Sequence, residues 1–276
     1  MKNIIVSFQH TNGTAEGIYI NAGTASPLAI IINGHNGFYN YGMFPHIQQK
    51  LYHQGISSFS FNFSHGGVIG DADTFEDLEK YEQNCMRLET EDLLCVLQNS
   101  KKEFNDHSKI FLFAHSLGGV PTIFGAIKAI KENIKIDGLI LVSTVKTLDF
   151  WPATMLKEWA TAGVYFKKNN RTKQELPQGF EFLQEILKCE TNWNVKHAIQ
   201  SLDIPILIIH GANDEAVPVN HAEDLFSWIK DSNKNAQLKI IPDATHTFNT
   251  KHPFENTSKE LDELLRTTTN WIKNIA

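Results

Sequence analysis

Three separate segments of the chain carry a serine, an aspartate and a histidine directly after runs of apolar residues. Ser116 lies in IFLFAHSLGG, Asp214 follows ILIIHGAN, and His246 follows LKIIPDAT. A serine hydroxyl is a weak nucleophile until a neighbouring base removes its proton, and a histidine held by a carboxylate is such a base. These residue types predict catalysis with Ser116 as nucleophile, His246 as general base and Asp214 as the acid that orients His246.

The segment around Ser116 has the order that an exposed nucleophile requires. An apolar strand run comes first, then an abrupt turn of small residues, then a helical stretch. A serine on such a strand-to-helix turn projects above the sheet, close to a helix N-terminus whose partial positive charge favours developing anions. The usual G-x-S-x-G pattern of this nucleophile elbow has Ala114 at its first position here, and alanine is still small enough to pass the turn.

Acyl transfer at a serine also needs backbone N–H groups that bind the oxyanion. The residue after the nucleophile, Leu117, supplies one of them in this arrangement. The glycine-containing segment NGHNG, 33–37, permits a tight turn after an earlier strand, and the amide of His35 is the predicted second donor. One such donor is worth about 3–4 kcal/mol in the transition state.

The elements that must position these residues follow from the apolar runs. Several runs are apolar on both faces, as in a parallel sheet covered by helices on both sides. Helix-period segments alternate with them, which predicts a doubly wound, mostly parallel eight-stranded sheet in the α/β class. The predicted strands are 4–8, 15–21, 28–33, 58–63, 109–114, 139–143, 206–210 and 238–241. The predicted helices are 42–54, 77–101, 118–132, 219–230 and 257–274.

One interval, 146–202, has no clean strand run and mixes aromatic with polar and basic residues. An insertion of that length between two strands is usually functional. We therefore expect a small cap over the carboxyl edge of the sheet, with 1–145 and 203–276 forming the core domain. The alternative is an ordinary pair of packing helices, since most aromatic side chains serve the core.

Composition limits the classes of partner. The 276-residue chain has 25 Lys and Arg against 31 Asp and Glu, a net charge of −6, which argues against nucleic acid and anionic membranes. No stretch approaches the roughly 18 apolar residues of a membrane span. The three cysteines show no CxxC pairing, which favours a reducing cytoplasm. The expected partner is a small molecule, and a homodimer is left open.

Metal ions and nucleotide cofactors are not indicated. Five of the 12 histidines are expected near the carboxyl edge of the sheet, namely His35, His65, His115, His210 and His246. None of them forms H-E-x-x-H or another ligand spacing with a mechanism behind it. Neither G-x-G-x-x-G after a strand nor G-x-x-x-x-G-K-[ST] occurs. The sequence therefore predicts neither a metal nor a cofactor.

With these motifs, the chain resembles the α/β-hydrolase superfamily over nearly its whole length, and most of all its small serine esterases and dienelactone-hydrolase-like or peptidase-like members. The segment FNFSHGG, 61–67, resembles the loop after the fourth strand in those enzymes. The resemblance implies a carboxylesterase-like serine hydrolase that cleaves a small, partly apolar ester through an acyl-enzyme. A thioesterase, a peptidase or amidase, and a carbon–carbon hydrolase remain alternatives on the same residues. A ligand-binding protein on this scaffold is the non-enzymatic alternative.

Overall fold

The computed structural model describes residues 1–104, 107–169 and 171–276, so that positions 105 and 106 of the expected core and position 170 of the expected cap lie outside the described residues. The described strands, in chain order, are β1 (Asn3–His10), β2 (Gly13–Ile20), β3 (Leu28–Ile32), β4 (Ser57–Asn62), β5 (Ile110–His115), β6 (Gly138–Val142), β7 (Val164–Lys168), β8 (Glu175–Gly179), β9 (Ile206–Gly211) and β10 (Ala236–Ile241).

Helices connect most of these strands, and a single 3₁₀ turn, Ser116–Gly118, follows β5. The described α-helices are α1 (Phe44–His53), α2 (Leu78–Gln83), α3 (Met86–Glu103), α4 (Gly119–Lys131), α5 (Ala153–Ala162), α6 (Phe180–Leu187), α7 (Cys189–Asn192), α8 (Val195–Gln200), α9 (Asn220–Ile229) and α10 (Lys259–Ile275). Ser258 caps α10, because its side chain accepts a hydrogen bond from the amide of Leu261.

Eight of the strands form one sheet in the order β1-β2-β4-β3-β5-β6-β9-β10. β1, β2 and β4 pair antiparallel, and every other neighbour in the sheet is parallel. The predicted eight-stranded, mostly parallel sheet is therefore confirmed. Because the strands run parallel from β4 to β10, the loops that follow them emerge at one edge, where open sheets of this class place their sites.

Helices cover both faces of the sheet, and the central strands are buried on both sides. In β3, Ile30 and Ile32 belong to the core shared with α3, α4 and α9, whereas Ala29 and Ile31 belong to the core shared with α1 and α10. Side chains alternate between the faces of a strand, so a strand covered on both faces needs apolar residues at every position. This explains the uninterrupted apolar runs.

The single helix predicted over 77–101 is wrong, because the structure contains two helices with a break between them. Asn84 and Cys85 have extended backbone angles, so α2 ends before them and α3 begins after them. The carboxylate of Glu185, which lies in α6, accepts hydrogen bonds from the amides of Met86 and Arg87 at 2.6 and 3.0 Å. Glu185, which is distant in sequence, thus caps the N-terminus of α3. The apolar pattern of 77–101 alone does not indicate that a helix begins there.

The interval 146–202 contains four helices, α5 to α8, and a hairpin that the sequence did not predict. β7 and β8 pair antiparallel from Val164 opposite Gly179 to Lys168 opposite Glu175. The two strands read VYFKK and ELPQG, without the strict alternation that marks a half-buried strand, and a proline lies within β8. The expectation of no strand in this interval is therefore wrong, while its role as a cap stays a prediction.

Two smaller features concern the chain as a whole. Cys85, Cys95 and Cys189 are free thiols, and all three are buried. Within the part of the chain that the structure describes, no helix combines the length and the apolar character needed to cross a membrane.

Two carboxyl groups are buried around the start of α3. Glu89 is 5% exposed and accepts a hydrogen bond from the side-chain amide of Asn84 at 2.7 Å. Burial raises the pKa of Glu89 to about 8, and the nearby charges of Asp92 and Glu185 act in the same direction, against the hydrogen bond from Asn84. Burial also raises the pKa of Glu185 to about 7. The folded protein therefore holds protons that the unfolded chain releases.

We predict that Glu89→Gln removes part of the pH dependence of stability. Between about pH 4.5 and about pH 8 the folded state keeps the Glu89 proton and the unfolded chain does not, so the free energy of unfolding should fall as the pH rises. The variant keeps the acceptor oxygen without the ionisation. Chemical denaturation at both ends of this range should show a relative gain on the order of 2 kcal/mol for the variant at the higher pH. Glu103→Gln, in the exposed end of α3, is the control, and parallel profiles for wild type and Glu89→Gln would contradict the prediction.

Candidate active site

Ser116 stands at the sharp turn between β5 and α4. Its backbone angle φ is +58°, in the left-handed region that residues with a side chain rarely adopt. Two glycines make room for this turn. A Cβ atom on Gly34 would lie 2.7 Å from the Ser116 Cβ, and one on Gly118 would lie 2.2 Å from the carbonyl oxygen of Asn33. The loop after β3 therefore packs directly against the serine, with no space for side chains between the two backbones.

The structure brings together the three residues that the sequence singled out. Nε2 of His246 lies 3.0 Å from Oγ of Ser116. Nδ1 of the same ring lies 2.8 Å from Oδ2 and 3.0 Å from Oδ1 of Asp214. In this arrangement the Ser116 hydroxyl donates to the imidazole, and the imidazole donates to the carboxylate. The three side chains come from the loops after β5, β9 and β10, at the carboxyl edge of the sheet.

Asp214 is held by several donors besides His246. The amides of Ala216 and Val217 donate to its Oδ1 at 3.0 and 2.8 Å, and Nε2 of His210 lies 3.3 Å from its Oδ2. Burial raises the pKa of Asp214, but the hydrogen bonds from His210, His246 and the amide of Val217 outweigh burial and hold that pKa well below its usual range. Asp214 therefore stays ionised at pH values where a free aspartate would already take up a proton.

Two buried histidines support the loops of the site, and sequence reasoning missed this role. Nε2 of His210, at the end of β9, donates to the carbonyl oxygen of Val217 at 2.8 Å and so fixes the loop that carries Asp214. Nε2 of His115, at the end of β5, donates to the carbonyl oxygen of His246 at 2.9 Å. Burial lowers the pKa of His115 to about 3, so it stays neutral. In the sequence, each of these histidines is a polar residue at the end of an apolar strand run, and this position was the available indication of a supporting role.

The predicted oxyanion donors lie on the two segments that meet at Ser116. The amide of Leu117 belongs to the 3₁₀ turn that begins at Ser116. His35 follows Gly34, the residue packed on the serine. Asn36, the next residue, has a φ of +61°, and its side-chain oxygen accepts a hydrogen bond from the hydroxyl of Tyr81. That contact anchors the loop after β3 in a conformation that is unfavourable for a residue with a side chain.

The side chain of His35 packs among aromatic rings rather than reaching the triad. Its ring stacks on Phe182 of α6, with centroids 5.7 Å apart and planes 6° apart, and it also lies 6.4 Å from Trp151. Burial lowers the pKa of His35 to about 3, and the charge of Lys167 contributes to this shift. A neutral His35 ring therefore joins the loop after β3 to the 146–202 interval.

Two adjoining cavities, of about 520 and 1120 Å³, share a wall at Ser116 and His246. Tyr41, Phe44 and His252 line the smaller one. Phe150 and Trp151, from the 146–202 interval, line the larger one. The serine therefore lines both cavities.

The five histidines expected near the sheet edge do not form a metal site. His246 contacts Ser116, His210 lies beside Asp214, and His115 donates to the carbonyl oxygen of His246. The ring of His35 packs on Phe182, and His65 lies after β4 and contacts the hydroxyl of Ser64 at 2.9 Å. Among residues 1–104, 107–169 and 171–276, no group of three or more His, Cys, Asp or Glu side chains is arranged to hold a metal ion.

The C-terminal third of the chain is similar to a known protein family. The sequence model of the Dienelactone hydrolase family matches residues 191–276, which include Asp214 and His246. The chain is 37% identical over 54 residues to a protein of Bacillus subtilis described as uncharacterized peptidase YuxL. That match covers 19% of this chain and 8% of the relative, so the chain spans only a small part of that relative's length.

Solved structures match over the whole chain. Est1E from Butyrivibrio proteoclasticus superposes with a TM-score of 0.67 at 18% identity and 98% coverage of both chains. The α/β hydrolase GrgF from Penicillium gives a TM-score of 0.74 at 15% identity and 99% coverage of both. A dienelactone hydrolase from Anabaena variabilis gives 0.65 at 14% identity, covering 99% of this chain and 97% of that one.

These comparisons define the class of protein. The structural matches establish the α/β-hydrolase fold over essentially the full length of the chain. The Dienelactone hydrolase family model matches the C-terminal third of that fold, and the predicted resemblance to α/β-hydrolases is confirmed.

We predict that Gly118→Ala destabilises the protein through the contact with the Asn33 carbonyl. The backbone angles of Gly118, φ −58° and ψ −15°, suit any residue, so the clash is the only obstacle to a side chain. We expect a loss of about 1–3 kcal/mol in the free energy of unfolding, measured by chemical denaturation.

Gly125→Ala, in α4, is the matched control. Its added methyl group would meet the end of the Leu93 side chain at 2.9 Å, and a side-chain terminus can move aside. The control should keep the stability of the parent, since alanine also favours the helix. Equal stability of the two variants would contradict the close backbone approach at Ser116.

Proposed function

We propose that this protein is a serine hydrolase that cleaves carboxylic esters through an acyl-enzyme. The observation that carries the proposal is the continuous hydrogen-bonded line from Ser116 Oγ through both nitrogens of His246 to Asp214, with distances of 3.0 and 2.8 Å. A nucleophile, a base and an orienting carboxylate at hydrogen-bond distance are the elements that acyl transfer to a serine requires.

In the proposed reaction His246 is the only residue that moves protons. Its Nε2 accepts the proton of the Ser116 hydroxyl as Oγ attacks the ester carbonyl carbon. The same nitrogen then donates that proton to the leaving alcohol, and the acyl group remains on Ser116. Water then attacks the acyl carbon while Nε2 of His246 takes its proton, and the same nitrogen returns that proton to Ser116 Oγ as the bond to the serine breaks and the acid leaves. Asp214 keeps Nδ1 protonated and stabilises the imidazolium that forms.

The backbone amides of Leu117 and His35 are the proposed donors to the oxyanion. Both belong to segments that meet at Ser116, and His35 N–H makes no hydrogen bond within the described part of the chain. A preorganised donor of this kind is worth about 3–4 kcal/mol in the transition state.

We further propose that 146–202 is the cap of this site. Phe150 and Trp151 from this interval line the larger cavity, and Phe182 stacks on His35. These contacts favour a substrate with an apolar or aromatic part. One structure of the neighbour Est1E contains ferulic acid, an aromatic acid, which supports the same choice.

Ser116→Ala should abolish the reaction. We expect a fluorophosphonate probe to label the wild type at one site, detected by intact mass, and to leave the variant unlabelled. Turnover of nitrophenyl acetate should fall by about 10⁶ if the three residues act as a unit.

Ser64→Ala is the control, because Ser64 also contacts a histidine, His65, at 2.9 Å but lies outside the proposed machinery. It should keep both labelling and turnover. A folded wild type that neither reacts with the probe nor cleaves an ester would contradict the proposal and favour a ligand-binding protein.

Asp214→Asn should leave the geometry in place and lower turnover by about 10⁴, since an amide at this position no longer selects the imidazole tautomer that can accept the serine proton. Steady-state kinetics with nitrophenyl acetate measures the effect. A decrease of less than tenfold would show that Asp214 has no part in orienting His246.

A further inference from the structure

The two cavities beside Ser116 have walls on which the formal charges are positive. Lys167 and Lys168 line the larger cavity, Lys251 lines the smaller one, and Arg171 lines both. Among the described residues that line these cavities, none is an aspartate or a glutamate. The chain as a whole is acidic, with a net charge of −6. The charge of the walls is therefore opposite to that of the protein.

Arg171 occupies the connection between β7 and β8, and its guanidinium lies over the cleft wall. The guanidinium carbon is 4.9 Å from the centre of the Tyr41 ring. Tyr41 in turn stacks on His252, with centroids 4.5 Å apart. The amide of Arg171 donates to Oδ1 of Asn169 at 2.9 Å. Contact with an aromatic face holds the cation in place and leaves its N–H groups without a carboxylate partner.

Lys167 lines the larger cavity together with Arg171. Its ammonium group is 5.8 Å from the centre of the Trp151 ring. The side chain keeps an exposed face, yet burial of its remainder lowers the pKa of Lys167. In the described part of the chain neither Lys167 nor Arg171 forms an ion pair, whereas Lys135 and Lys146 pair with carboxylates at 2.7 and 2.5 Å. Glu175, the cross-strand neighbour of Lys168, is not part of the cavity wall.

We propose that Arg171 and Lys167 bind an anionic group of the substrate, a carboxylate or a phosphate, so that Ser116 acts on esters that carry negative charge. The proposal rests on the proposed function. An anionic substrate is repelled by an acidic protein unless the approach to the site is locally positive. The planar guanidinium of Arg171 matches the two oxygens of a carboxylate or phosphate, and a cation that is partly removed from water attracts an anion more strongly.

The first experiment compares two esters that differ only in charge, nitrophenyl hemiglutarate and its neutral methyl ester, nitrophenyl methyl glutarate. At low salt the wild type should favour the anionic ester in kcat/KM by about ten- to a hundredfold, the range expected for a hydrogen bond to a charged group. Arg171→Gln should lower this ratio at least tenfold, and Arg171→Lys should restore part of it. Arg266→Gln, which removes an exposed guanidinium from α10, should leave the ratio unchanged.

A second measurement does not depend on turnover. Binding of glutarate and of inorganic phosphate to Ser116→Ala is measured by calorimetry, with and without Arg171→Gln in the same chain. Tighter binding of glutarate assigns carboxylate-bearing substrates, and tighter binding of phosphate assigns phosphate-bearing ones. Loss of binding on adding Arg171→Gln supports the proposal in either case.

The outcomes separate this proposal from the proposed function. If anions bind in a way that depends on Arg171 but the protein cleaves neither ester, the proposed hydrolase function is wrong and the proposed anion site is supported. If the wild type cleaves both esters equally and Arg171→Gln has no effect on anion binding, the proposed anion site is wrong and the proposed hydrolase function is supported.

Discussion

The site depends on how closely the backbones approach one another at the carboxyl edge of the sheet. Gly118 packs against the carbonyl oxygen of Asn33, Gly34 packs against Ser116, and a Cβ atom on Gly211 would lie 2.3 Å from the carbonyl oxygen of Ala244. Four loops that are distant in sequence therefore meet in two close pairs, the loops after β3 and β5 and the loops after β9 and β10. Any side chain at these positions would separate the loops and lengthen the hydrogen bonds between the functional groups they carry.

Buried hydrogen bonds then fix the orientation of the loops. Asp214 receives hydrogen bonds from two backbone amides and lies beside two histidines, so its charge is removed from water without being left unpaired. His115 and His210 each donate to a carbonyl oxygen of a loop that carries a triad residue. These two histidines therefore help to fix the positions of the loops that carry His246 and Asp214.

The 146–202 interval contributes aromatic rings and cations to the wall of the larger cavity. The core supplies the serine, the histidine and the aspartate, while Phe150, Trp151 and Lys167 come from the interval. Glu185 and Phe182, both in α6, tie the interval to the start of α3 and to the loop after β3. The wall of the larger cavity is thus built partly by a segment separate from the one that positions Ser116, Asp214 and His246.

Much of the fold is predictable from the sequence, because a strand that is buried on both faces needs apolar residues at every position. The central strands of the sheet were predictable from their apolar runs, and Ser116, Asp214 and His246 from their positions directly after three of the predicted strands. The break at Asn84 and Cys85 and the β7–β8 hairpin were not predictable, since each is stabilised by residues far away in the chain. The supporting roles of His115 and His210, and the place of Arg171 over Tyr41, also depend on tertiary contacts. Local periodicity records which face of an element is buried, but only the folded chain decides which partner covers it.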